Sequence, residues 1–159
     1  MEGVVQLVQR SPVVVSDEAT MQALGIELAR VLPERSLVTL SGELGAGKSV
    51  LVRSVIHACG YEGRVKSPTY TLIETYDCAG SAVRTGDLLI AHLDLYRLSD
   101  PEELEYLGFD DVLDSNDLVF IEWPEQGAPL LPVATLHVLI EYAENGERLV
   151  SFSDPARNA

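Results

Sequence analysis

Eight residues, Gly42-Glu43-Leu44-Gly45-Ala46-Gly47-Lys48-Ser49, constrain this chain more than any other stretch. They match G-x-x-x-x-G-K-[ST] at every fixed position. The glycines let the backbone curl so that successive N–H groups point at a phosphate. A following helix would add its positive N-terminal end at the same point. Lys48 would reach the β- and γ-phosphates, and the Ser49 hydroxyl would ligate Mg²⁺. Such a match arises by chance in roughly one chain in a few hundred of this length, so its surroundings decide. Residues 37–40 (LVTL) form a short apolar run suited to a buried parallel strand. Residues 49–59 place Val50, Leu51, Val55 and Ile56 around Arg53 and His57, a helical pattern that Gly60 stops. Strand, glycine-rich loop and helix follow in the order a phosphate loop needs.

Further elements fit the same α/β class. Val13-Val14-Val15 reads as a strand. Ser16 or Asp17 can cap a helix through Met21, Leu24, Ile26, Leu28 and Val31, which Pro33 ends. Residues 61–76 run from a Ser-Pro loop into a strand, and 77–87 read as an exposed turn. Residues 88–96 and 118–121 are strands. Asp100-Pro101-Glu102-Glu103 reads as a helix start, with Asp100 as cap and Glu103 closing a capping box. Residues 135–142 and 148–152 flank Asn145-Gly146, a strong hairpin signal. The expected architecture is a single P-loop NTPase domain over 1–159, with a mixed central sheet flanked by helices and a C-terminal β-hairpin.

Charge limits the partners. Lys and Arg number 11 against 25 Asp and Glu, for a formal net charge of −14. The only lysines are Lys48 and Lys66. Nucleic acid binding requires a clustered basic footprint, and none is visible. The acid excess serves as a solvated surface or as a face for a basic partner. No run approaches the ~18 apolar residues of a membrane span, and residues 1–10 do not read as a signal peptide. Cys59 and Cys78 form neither a metal-ligand spacing nor a disulfide framework, so a cytoplasmic location is expected.

In an open α/β sheet the site lies beyond the carboxyl ends of the strands. Two carboxylates fall there. Asp94 closes the run 89–93, and Glu122 closes 118–121. One would hold Mg²⁺, directly or through water, while the other orients the attacking water. Thr69 and Thr71 lie where a hydroxyl can sense a γ-phosphate. Arg97 is either a cationic stabiliser or a solvent-facing residue. Trp123 packs near the nucleotide or in the core. His57, His92 and His137 are scattered and read as structural. No Asn-Lys-x-Asp motif is present, which leans towards ATP rather than GTP.

Taken together, 41–49 (SGELGAGKS), 65–72 (VKSPTYTL), 92–98 (HLDLYRL), 101–104 (PEEL) and 121–124 (IEWP) resemble the bacterial TsaE (YjeE) family. That family is the ATPase subunit of tRNA threonylcarbamoyladenosine biosynthesis. The order and spacing cover roughly residues 13–152. The resemblance implies a compact P-loop domain that binds ATP or ADP with Mg²⁺ and hydrolyses ATP slowly. It implies work with the TsaB–TsaD pair on adenosine 37 of tRNA, with tRNA met only through that complex. By position, Gly45, Ala46, Gly47, Lys48, Ser49 and Val50 would cradle the phosphates. Ser49 and Glu122 would ligate Mg²⁺, and Lys48, Asp94 and Glu122 would serve hydrolysis. Glu18 would contact the nucleotide, and Thr69 would join it from the switch-like segment. The family loop usually ends in Lys-Thr, where this chain has Lys48-Ser49, and 77–87 is longer than expected. The competing expectation is a small-metabolite P-loop kinase. Such a kinase needs several arginines around its acceptor, and the nine here are spread from Arg10 to Arg157 without a cluster.

Overall fold

The computed structural model describes residues 2–157. The elements run α1 (Glu2–Arg10), β1 (Val13–Val15), α2 (Glu18–Val31), β2 (Ser36–Ser41), α3 (Lys48–Ala58), β3 (Ile73–Cys78) and β4 (Leu88–Asp94). They continue as α4 (Glu103–Tyr106), α5 (Phe109–Ser115), β5 (Leu118–Glu122), β6 (Leu136–Tyr142) and β7 (Arg148–Ser153). The strands form one sheet in the order β1-β7-β6-β2-β5-β4-β3. The pairs β6–β2, β2–β5 and β5–β4 are parallel, and β1–β7, β7–β6 and β4–β3 are antiparallel. The mixed sheet and the C-terminal hairpin are therefore as expected. The described residues contain no helix long and apolar enough to cross a membrane.

Every residue of β2 and β5 is buried, because both faces of the sheet centre are covered. On one face α2 and α3 pack Met21, Leu24, Leu28, Leu51, Val55 and Ile56 against Val38, Leu40, Phe120 and Val138. On the other, Leu104 and Phe109 join Leu93, Leu95, Val119 and Ile121. The helices α2 and α3 approach closely at Gly25. A Cβ there would lie 2.5 Å from Ser54 Cβ and 3.0 Å from the Leu51 carbonyl. Asp17 caps α2 by accepting the Thr20 N–H at 2.8 Å and the Thr20 hydroxyl at 2.6 Å.

Several local expectations need correction. Residues 77–87 are not a free exposed turn. β3 continues to the buried Cys78, and the segment after it ties two helix ends together. The Arg84 guanidinium donates to the carbonyls of Ala29 (3.0 Å), Leu32 (2.7 Å) and Pro33 (3.0 Å), at the end of α2. The Ser81 hydroxyl donates to the Ala58 carbonyl at the end of α3. A basic group on terminal helix carbonyls is favourable in charge and in hydrogen bonding. Asp100 does not cap a helix directly, because α4 begins only at Glu103. Asp100 accepts the Glu102 N–H at 2.9 Å, and Glu103 accepts the Ser99 N–H at 3.1 Å. The turn is thus closed one residue earlier than a capping box requires. Strand β4 stops at Asp94, short of residue 96. Ile26 lies on the outer face of α2 rather than in the core. Neither α1 nor α5 was expected from the sequence. Both are short, and α1 is held by Val4 and Leu7 in the first core.

Candidate nucleotide and metal site

Strand β2 ends at Ser41, and the chain then curls through Gly42–Gly47 into α3. Two of its positions disfavour a side chain. Gly42 has φ +153°, and a Cβ on it would lie 2.5 Å from the Ile140 carbonyl. Gly47 has φ +116°, immediately before the helix. Both positions favour glycine for conformation, and Gly42 requires it for space. The first helical N–H groups of α3 are left pointing along the helix axis, as an anion requires.

Lys48 is buried, at 4% exposure. Its ammonium donates to the Gly42 carbonyl and to the Glu43 carbonyl at 3.1 Å, and lies 4.2 Å from the centre of the Trp123 ring. Burial lowers the Lys48 pKa, while the charges of Glu122, Asp94 and Glu125 oppose that shift. The cation is therefore held by carbonyls and an aromatic ring, within the field of three carboxylates.

Asp94 and Glu122 end the adjacent strands β4 and β5 and are direct partners in the parallel register. Both are buried, at 4% and 2% exposure. The Ser49 hydroxyl donates to Glu122 Oε2 at 3.0 Å. Asp94 Oδ2 accepts the Thr69 hydroxyl at 3.2 Å, and Asp94 Oδ1 accepts the Tyr96 N–H at 3.0 Å. Burial raises the Asp94 pKa above the usual carboxylate range, and Glu122 adds to the rise. The Tyr96 N–H, the Thr69 hydroxyl and His92 pull it back.

Two clefts flank the phosphate loop and share Gly45, Ala46, Gly47 and Val50. One, of about 230 Å³, joins that loop to Lys48, Ser49, Thr69, Asp94, Glu122 and Trp123. The other, of about 200 Å³, lies across the loop and includes Val15, Asp17, Glu18, Met21 and Arg148. Glu18 lines the second cleft, Lys48, Ser49, Thr69, Asp94 and Glu122 line the first, and Gly45, Ala46, Gly47 and Val50 line both. Glu18 is exposed and stands 3.8 Å from Arg53. Thr71 does not join the site, because its hydroxyl donates to Glu74 at 2.9 Å. Arg97 stacks on the exposed Tyr70, 4.5 Å from the ring centre.

Some functional candidates escape sequence reading. His92, expected to be structural, contacts Glu122, with Nε2 2.5 Å from Oε2. The available signal is its spacing: two residues before Asp94 on a strand puts both side chains on one face. His57 and His137 do keep structural contacts, to the Gly63 carbonyl and to Thr39. Arg148, 100 residues beyond Lys48, reaches the loop through the Ala46 carbonyl at 3.2 Å. No local pattern announces that contact.

The donors fit a hard cation. Ser49 and the two carboxylates offer only oxygen. Among the described residues no group of three His, Cys, Asp or Glu could cage a metal. Mg²⁺ does not need one, since it is ordinarily held by one or two carboxylates together with phosphate oxygens and water.

The family described as "Threonylcarbamoyl adenosine biosynthesis protein TsaE" matches residues 15–150 by its sequence model. The chain belongs to the TsaE family. A Haemophilus influenzae relative, named tRNA threonylcarbamoyladenosine biosynthesis protein TsaE, is 40% identical over 140 residues. The match spans 85% of this chain and 84% of the relative. Relatives of the same name in Rickettsia felis and a Nostoc strain are 37% and 33% identical. They cover 87% and 88% of this chain and 77% and 83% of their own. The solved structure of Bacillus subtilis YdiB superposes with a TM-score of 0.71 over 92% of this chain and 86% of its own. At 23% identity it shares the fold. The TsaE match contains both cleft walls from Glu18 to Arg148 and leaves α1 outside.

Proposed function

We propose that this chain is the ATPase of tRNA threonylcarbamoyladenosine formation, binding ATP and ADP with Mg²⁺ and hydrolysing ATP slowly in company with TsaB and TsaD. Membership of the TsaE family supports the pathway. One observation carries the chemistry: Lys48, the Ser49–Glu122 pair and Asp94 converge where a phosphate loop meets the carboxyl ends of β4 and β5. Bound Mg²⁺ would neutralise charge on the β- and γ-phosphate oxygens. Ser49 and Glu122 are the residues proposed to hold it. Lys48 is buried and held by loop carbonyls, so it would exchange those partners for phosphate oxygens without first losing a hydration shell. Asp94, held at both oxygens, would orient a water molecule. Thr69 lies on the segment proposed to report nucleotide state. Glu18 and Arg148 face the second cleft, where the nucleoside end would lie.

The arginines argue against the metabolite-kinase alternative. Arg84 holds the end of α2, Arg35 holds the Leu113 and Asp114 carbonyls of α5, and Arg10 pairs with Glu27. These roles engage three of the nine arginines in holding the fold, away from the phosphate loop. A cytoplasmic location is proposed on the two free buried cysteines, which suit a reducing compartment.

The test is ATP turnover by the purified chain, with and without Mg²⁺ and with and without TsaB–TsaD. Slow Mg²⁺-dependent turnover, and capture of the chain by TsaB–TsaD in the presence of ATP, are expected. Phosphoryl transfer to a metabolite in place of hydrolysis would sink the reading.

A further inference from the structure

His92 is 1% exposed and Glu122 is 2% exposed, on the sheet face that carries Ile90 and Phe120. His92 Nε2 and Glu122 Oε2 stand 2.5 Å apart, a hydrogen-bond distance, and the shared proton is assigned to Nε2, the tautomer that leaves no buried N–H without an acceptor. The other ring nitrogen, Nδ1, is buried and has no hydrogen-bond partner. A core position wanting only shape would be better filled by an apolar side chain, because an unpartnered buried ring nitrogen costs stability. The contact with Glu122 is what the imidazole provides. The register explains how it forms. His92 lies opposite Phe120, and Asp94 lies opposite Glu122, so His92 reaches diagonally to the next residue on the same face of β5. Ser49 and His92 both address Oε2. Two donors on one oxygen fix the carboxylate's rotation and leave Oε1 for a further partner.

We propose that His92 is a positioning residue: its Nε2–H locks the Glu122 carboxylate in the orientation that receives the metal beside Ser49. This rests on Glu122 as a metal ligand. A donor behind a ligating group restricts the ligand's motion and so raises metal affinity without touching the metal.

Two substitutions separate positioning from packing. His92→Leu keeps bulk and loses the donor, while the His92→Gln amide can restore a donor near the Nε2 position. Binding of a fluorescent ADP analogue is titrated with and without Mg²⁺, alongside thermal melting. His92→Leu should leave Mg²⁺-free nucleotide binding unchanged and weaken the apparent Mg²⁺ affinity by about 10–100-fold. His92→Gln should recover most of that loss. In the unsubstituted protein, nitrogen NMR should place the imidazole proton on Nε2. This measurement also decides the matter if His92→Leu does not fold. A proton on Nδ1, or an unaltered Mg²⁺ effect in His92→Leu, overturns the role of His92 alone. No Mg²⁺ effect in the unsubstituted protein overturns the metal reading beneath it.

Discussion

Lys48 has no solvent to retreat to. It is enclosed by two loop carbonyls and the Trp123 ring, so truncation removes the site's fixed cation rather than a surface charge. Lys48→Ala should therefore lower ATP turnover by about 100-fold or more, as measured by phosphate release. Undiminished turnover would remove Lys48 from the mechanism. The cysteines give a pH prediction. Burial pushes the Cys59 thiol up to about 11 and the Cys78 thiol up to about 12. At pH 8 their thiolate fractions fall to about 10⁻³ and 10⁻⁴, so native alkylation should be very slow and become rapid on unfolding. The linkage has a definite sign. Between the ordinary thiol value near 9 and these raised values, the unfolded chain loses protons that the folded chain keeps. Stability should then fall as pH climbs above 9, by about 1 kcal/mol per pH unit for each thiol. Denaturant midpoints at pH 8 and pH 10 check this, and the Cys59→Ala, Cys78→Ala double variant should lose that pH slope. Both thiols were legible only as unpaired cysteines, since burial is not written at a single position.

The packing of α2 on α3 decides whether the phosphate loop stays in place, because α3 grows directly from that loop. Gly25→Ala tests this contact. Alanine improves intrinsic helix propensity by about 1 kcal/mol. Its Cβ would meet Ser54 Cβ at 2.5 Å, and overpacking of this kind costs about 1–3 kcal/mol. The second effect should win, lowering the melting temperature, whereas an unchanged or raised one would show that the helices separate easily. Losing the Asp17 cap in Asp17→Ala should destabilise α2, seen as an earlier denaturant midpoint. The helix periodicities and the Asn145-Gly146 hairpin were readable because each repeats over several residues. The bounds around 77–87 and 100–106 were not. Arg84 acts on carbonyls some 50 residues away, and the Asp100 turn closes by competition among neighbouring acids.

At the scale of the molecule, the formal charge of −14 opposes approach to another polyanion. We expect the isolated chain to show no tight tRNA binding in a titration at physiological salt, with tRNA association appearing only when TsaB–TsaD is present. Tight binding by the chain alone would contradict that division of labour. The phosphate loop, the α/β class, the two acids at strand ends and the resemblance to TsaE were all determined by sequence, because each depends on short-range chemistry: glycine conformations, side-chain periodicity and local motif spacing. What only the tertiary structure decided is which distant residues meet. Parallel pairing of β4 with β5 makes Asp94 and Glu122 register partners and brings His92 onto Glu122, and the β6–β7 hairpin returns Arg148 to the loop at Ala46. Strand order and register arise from the simultaneous burial of both sheet faces, a property of the whole chain that no local stretch encodes.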